Sequence, residues 1–424
     1  MTRFARTFAL LLLTLALSPS LLFAQPIQRT EDGLETTITK SFSVEPGGTL
    51  DLHATNGSVT VTGGSQNEVS IEETIRFQNA SRSAAKEYLN THPTRYEHTD
   101  NTVRVRGPDV DDDDSWFGDG EPDAQYQYEV TVPRRFNATV RTGGGSVEIR
   151  GLEGTVDGQT AGGSIGAKNI VGDVKVETAG GSVTLRSIDG TAQGNTAGGS
   201  IEADSVTGEL QLETAGGSIA VSSAGARVDA ETAGGSIKVD GAQGSVRANT
   251  SGGDVTVRGA SGSVNAETSG GDIILEDIGG DATAETSGGD IEGRGLRGAV
   301  DAETSAGDIE LRGVEGPVQA ETSVGDIEVQ SVATSYATDP AMDLTTSHGD
   351  IQLTVPASLQ ASIQAKVEDQ MGGGDPDNIR SDVPLTREGG DGEPLRARGD
   401  MNGGGPGLRL ETSGGSIQIR TSEN

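Results

Sequence analysis

The chain has 424 residues, with 64 Gly, no Cys, 32% hydrophobic and 3% aromatic residues, and a formal net charge of -33. This composition argues against a large conventional core, since ordinary globular domains are about 45–50% apolar with Gly near 7%. Without Cys there is no disulfide framework, thiolate zinc site or lipid-modified N-terminal Cys, and the acidic excess argues against nucleic acid or anionic membrane as partners through a basic patch.

Arg3 and Arg6 precede an apolar run, Phe8–Leu17, then Ser18-Pro19 and a small residue, Ala24, before Gln25. This layout predicts a secretory signal peptide over 1–24, cut after Ala24. The run is shorter than the ~20 residues needed to span a bilayer, which weighs against a retained anchor. No later stretch is apolar enough to cross a membrane. The expected mature protein is soluble and exported, to the periplasm or to the cell surface and beyond.

Residues 25–136 are expected to form a β-rich N-terminal cap. Strand-like runs occur at Gly48–His53, Ser58–Thr62, Val69–Ile75, Val103–Arg106 and Tyr126–Val132, and Ala80–Leu89 reads as one short helix. An acidic loop over 108–124 holds Asp109, Asp111–Asp114, Asp119, Glu121 and Asp123 around Trp116-Phe117. It lacks the bidentate Glu of a calcium loop at the proper spacing and reads as a solvated connection.

A Thr followed by a Gly-rich corner stands at Thr142 and at every eighteenth residue to Thr322, with looser copies at Thr346 and Thr412. A fixed period near 20 marks a repeat architecture. In one repeat, Val228–Thr232 alternates small or apolar residues with acids, Ala233–Ser236 is a turn, Ile237–Val239 alternates again, and Asp240–Ser245 is a second turn. Period-2 alternation between Gly clusters predicts two short strands per repeat. An open meander would leave its apolar face in water, and a membrane barrel needs strands of about 9–11 residues. The reading is therefore an all-β parallel β-solenoid (β-helix) of 18-residue coils over 137–330, rising ~4.8 Å per coil. Gly-Gly also suits a two-residue hairpin, so an antiparallel arrangement stays open. After Gln330 the register breaks: residues 331–424 are expected to be irregular C-terminal coils with a flexible loop at 371–405 and a last repeat at Leu408–Thr421.

Phe42–Leu50, Asn56–Val61, Tyr128–Pro133, the recurring Thr-Ser-Gly-Gly-Asp-Ile units and the closing Gly403–Ile417 segment resemble a bacterial family of exported β-strand-repeat proteins, a domain of unknown function described as a putative adhesin. The resemblance covers about residues 36–422. It implies a β-helix-like cell-envelope protein and brings no catalytic motif.

The residue after the Gly-Gly corner is Ser at 146, 164, 182, 200, 218 and 236, and Asp at 254, 272, 290, 308 and 326. The residue before the Thr becomes an unbroken Glu267, Glu285, Glu303 and Glu321. Residues 250–330 carry 17 acids and four arginines, against 13 acids and seven bases in 142–249, so charge is polarised along the array. Stacked coils would place Glu267, Asp272, Glu285, Asp290, Glu303, Asp308, Glu321 and Asp326 in two columns. Like charges ~4.8 Å apart repel by about 0.9 kcal/mol in water. Weak Ca²⁺ binding along this edge is one reading, since hard carboxylate oxygens suit that ion. A solvated acidic face that resists aggregation is the other. No cofactor is required. Four dispersed histidines (His53, His92, His98, His348) show no metal-ligand spacing, no phosphate loop occurs, and single Thr corners do not make the paired array of an ice-binding surface.

These features favour a non-enzymatic envelope protein with an adhesin-like or scaffold role through an extended acidic surface. It would act as a monomer, toward a protein or glycan partner. The alternatives are a periplasmic envelope-stress or regulatory partner and a polysaccharide-acting β-helix enzyme.

Overall fold

In the computed structural model the described residues are 23–24, 26–31, 33–108, 122–368, 376–390 and 393–423. Apart from Phe23–Ala24, the expected signal peptide lies outside them, as does the acidic loop from 109 to 121. Among the described residues no helix is long and apolar enough to cross a membrane.

Alternation and glycine together make each coil. Val228, Ala230 and Thr232 are buried on strand Val228–Thr232, and Ile237, Val239 and Ala242 on strand Ile237–Ala242. The first strand pairs in parallel with Leu210–Thr214 and Val246–Thr250, the second with Ile219–Ala224 and Val255–Ala260, each partner offset by one whole repeat. One repeat is thus one coil, two sheets run the length of the rod, and the antiparallel alternative is excluded for the array. Like residues stack on like: Ile219, Ile237, Val255, Ile273, Ile291, Ile309 and Ile327 form one continuous inward column. Where the opposing side chain is large the inward position shrinks. A Cβ on Gly194 would lie 3.3 Å from Leu212 and 3.2 Å from Val183.

The longer strand of each coil bends once. Asn169, Ser187, Ser205, Ser223 and Asp277 adopt left-handed φ of 54–57°, and Gly241, Gly259, Gly295 and Gly313 take the same place at 65–76°. This kink turns the next residue inward too, giving a third buried side chain such as Ile188 or Ala242. A left-handed residue costs about 1–2 kcal/mol unless it is Gly or a short polar type, which accounts for the Gly, Asn, Ser and Asp in this column.

The stack extends beyond the regular repeats at both ends, and there its order departs from chain order. Gly48–Ala54 and Ser58–Gly64 pair in parallel with Phe136–Thr142 and Val147–Arg150. Outside them lie Thr102–Arg106 and Asp123–Pro133. At the other end Gly407–Thr412 and Ile417–Ser422 are inserted between the coil at 342–356 and strands Ala361–Val367 and Ile379–Ser381. The chain's first and last coils are each held between two neighbours.

Antiparallel strands close the ends. Asp123–Pro133 pairs antiparallel with Glu68–Gln78, which pairs with Gly33–Ser43. The helix is Arg82–Thr91, two residues later than the expected Ala80–Leu89, because Ser81 Oγ caps it by accepting from Ala84 N at 3.2 Å. At the C-terminal end, Glu393–Met401 pairs antiparallel with Ala361–Val367, and Thr386–Gly390 lies outside it. The flexible loop expected at 371–405 therefore contains three strands, Ile379–Ser381, Thr386–Gly390 and Glu393–Met401. Leu395, Ala397 and Met401 are buried there. Their alternation with Arg396 and Arg398 is obscured by the surrounding Gly, Asp and Pro.

Candidate functional site

The corner of each coil is a hydrogen-bonded joint. Thr232 Oγ1 donates to the Gly217 carbonyl of the preceding coil at 2.8 Å and accepts from Gly235 N in its own corner at 3.3 Å. The donation recurs from Thr142 to Thr322 and again at Thr346 and Thr412, all buried. These hydroxyls face the interior and present no ice-binding surface. The second corner Gly is obligatory on steric grounds: a Cβ on Gly235 would sit 2.0 Å from the Gly217 oxygen. The first is not, because a Cβ on Gly234 meets nothing closer than 3.7 Å, and the chain itself places Ala306 and Val324 at that position.

The residue after the corner forms a second ladder. Ser218 N donates to Ser200 Oγ at 3.2 Å, and Ser236 N to Ser218 Oγ at 3.3 Å. In the acidic half Asp290 N donates to Asp272 Oδ1 at 2.9 Å, Asp308 N to Asp290 Oδ1 at 2.8 Å, and Asp326 N to Asp308 Oδ1 at 2.7 Å. Glu267, Glu285, Glu303 and Glu321 stack in register on the neighbouring strand. Partial burial, together with Glu267, Glu303 and Asp301, raises the pKa of Glu285. The two predicted columns exist, but their eight carboxylates do not converge: among the described residues no group of three His, Asp or Glu is arranged to hold a metal ion. Ca²⁺ takes six to eight oxygen ligands, and one oxygen of Asp272, Asp290 and Asp308 already accepts a backbone N–H.

A groove of about 930 Å³ runs along the serine half, from His53 and Arg141 to Asn249 and Ser251. Ala161, Ala179 and Ala197 line it beside Gln159, Glu177 and Asn195. At one end Arg141 bonds His53 Nε2 at 2.9 Å, Gln159 at 3.1 Å and Asp157 at 3.1 Å. Burial, then the Arg106 charge, lowers the His53 pKa against the pull of Asp51. For Asp51 burial acts to raise the pKa, but Arg106, His53 and Arg104 outweigh it and the net shift is downward. These charges hold one another.

One buried acid lies in the N-terminal cap. Glu73 is fully buried on strand Glu68–Gln78, where Thr94 Oγ1 and Tyr96 OH both donate to its carboxylate. Burial raises its pKa, and the hydroxyl hydrogen bonds offset this only in part. Tyr128, opposite it on the next strand, is fully buried, and its hydroxyl group also acts to lower the Glu73 pKa.

Residues 240–378 match the family described as Toastrack DUF4097. Over that stretch, about a third of its length, the chain is similar to this family. No curated protein matches it. Among solved structures, a putative adhesin from Bacteroides fragilis is similar at 14% identity over 72% of this chain and 99% of the other, with a TM-score of 0.29. A putative cell adhesion protein from Clostridium sporogenes aligns at 9% identity over 91% and 99%, TM-score 0.16. A putative lipid binding protein from Parabacteroides distasonis aligns at 14% over 75% and 93%, TM-score 0.20.

Within the repeat array, the left-handed column was missed by the sequence reading, although Gly, Ser, Asn or Asp recurs there once in every repeat. Glu73 was also legible. It stands at an inward position of the alternation Val69, Ile71, Glu73, Ile75, Phe77.

Proposed function

We propose that the protein is a non-enzymatic, exported cell-envelope rod with an adhesin-like or scaffold role. The carrying observation is the uninterrupted stack of corner-locked coils, which presents the same surface positions again on every coil. Such a surface suits many weak simultaneous contacts to a protein or glycan, where avidity exceeds any single affinity. The serine-half groove, lined by amides, carboxylates and small residues, is the surface best shaped for an extended partner. The charged groups beside it are paired with one another, which supports a binding role over catalysis.

Protease treatment of intact cells, with lysed cells as control, tests the location this reading needs. Loss of the protein from intact cells, followed by weaker attachment of cells lacking it, is the expected result for an adhesin. Protection until lysis would remove the adhesin role and leave a periplasmic scaffold or regulatory partner, to be sought by cross-linking.

A further inference from the structure

A cavity of about 570 Å³ lies in the N-terminal cap, between the helix Arg82–Thr91 and the face formed by Gly33–Ser43 and Glu68–Gln78. Ligand cavities typically span about 300–1,000 Å³. Ile27, Ile38, Ile75 and Leu89 supply aliphatic lining, and Lys40, Arg82 and Lys86 line the same cavity. Among the described residues none of these three cations has an ion-pair partner. Arg82 and Lys86 are exposed, and Lys40 stands over the Tyr96 ring at 5.4 Å. Three unpaired cations beside one apolar cavity run against a chain in which 64 acids face 31 bases.

The inner wall is held in place. Thr94 and Tyr96 line the cavity and spend their hydroxyls on Glu73 behind them, so they turn a fixed, hydroxyl-satisfied surface toward a ligand. Burying a carboxylate in an apolar face costs free energy. Its visible consequence is to fix these two side chains.

We propose that this cavity binds a small anionic amphiphile, one aliphatic chain with a single carboxylate or phosphate, its tail along Ile38, Ile75 and Leu89 and its head at Arg82, Lys86 and Lys40. This goes beyond the rod's role in attachment and does not depend on it.

Calorimetry on the purified full chain tests it, with dodecanoate and dodecyl phosphate as probes and dodecyltrimethylammonium and inorganic phosphate as controls. Saturable binding of one or both anionic amphiphiles at one per chain is expected, and their relative affinity tells a carboxylate from a phosphate head. The double variant R82E/K86E, at two exposed positions, is expected to bind roughly tenfold or more weakly with an unchanged melting midpoint in the absence of ligand. Ile38→Trp, which fills the cavity and keeps the rim charges, should also lose binding. The proposal is overturned by no saturable heat with either anion, by equal affinity for the cationic amphiphile, by inorganic phosphate binding as well as dodecyl phosphate, or by undiminished affinity in R82E/K86E.

Discussion

The serine half and the aspartate half of the array share parallel pairing and the threonine joint, and differ most in the residue after the corner and the residue before the threonine. Ser Oγ accepts the next coil's N–H at 3.2–3.3 Å, whereas Asp Oδ1 accepts it at 3.1 Å at Asp254 and at 2.7–2.9 Å along Asp272, Asp290 and Asp308. A charged acceptor makes the shorter and stronger bond. It also stacks like charges coil upon coil, beside a glutamate column that the serine half only partly has. The fold therefore asks for an acceptor at this place and tolerates its charge. The row of aspartates expected as metal ligands is also a row of backbone caps.

Substitutions at the corner should break both halves alike and most severely. Gly235→Ala and Gly271→Ala each drive a Cβ to 2.0–2.2 Å from a carbonyl oxygen of the preceding coil. Each should cost about 4 kcal/mol or more, among the largest single-residue effects, read as a fall in the denaturation midpoint. Gly234→Ala is the control and should be nearly neutral, since Ala306 already occupies the equivalent place.

The threonine joint comes next. Thr232→Val and Thr286→Val keep the shape but strand a buried carbonyl and a corner N–H, so each should cost about 1–3 kcal/mol in urea unfolding. Equal losses in the two halves would show that the joint is indifferent to the neighbouring charge.

The ladder residue should separate the halves. Ser218→Ala removes a neutral acceptor and should cost about 1 kcal/mol, whereas Asp290→Ala removes a charge-assisted one worth about 1.5–3. Asp290→Asn keeps an acceptor and removes one stacked charge. It should melt higher than Asp290→Ala, and its difference from the parent should shift with salt, because exposed charge repulsion is screened.

The smallest effect is expected at Glu285. Its raised pKa means the folded chain holds this proton more tightly than the unfolded chain, so ionisation disfavours folding. Glu285→Gln should stabilise the protein at pH 7 by about 0.3 kcal/mol, given solvent screening at an exposed position. The gain should vanish as pH falls below the ordinary value of 4.5, where Glu285 is protonated in both states. A gain that persisted at low pH would assign the effect to packing instead of charge.

Much of the array was readable before any coordinates. The repeat length, the two strands, the corner and the switch from Ser to Asp all follow from single repeats laid side by side, where alternation and Gly placement govern the backbone directly. The third inward residue was not read, because a left-handed kink interrupts period 2 and moves the next side chain to the other face. The strands at 386–401 were hidden by their composition, although Leu395, Ala397 and Met401 alternate.

Repetition made the coil: closely similar neighbours one repeat apart leave one register that buries every apolar column at once. The ends carry no such local instruction. Gly48–Ala54 seats itself between Phe136–Thr142 and Thr102–Arg106, and Gly407–Thr412 between Met342–His348 and Ala361–Val367. Both choices rest on pairings across dozens of residues, which no periodicity announces. The burial of Glu73 and the cavity walled by its two hydroxyl partners arise in the same way, where a strand, a turn and a helix meet only after the chain has folded back on its own first coil.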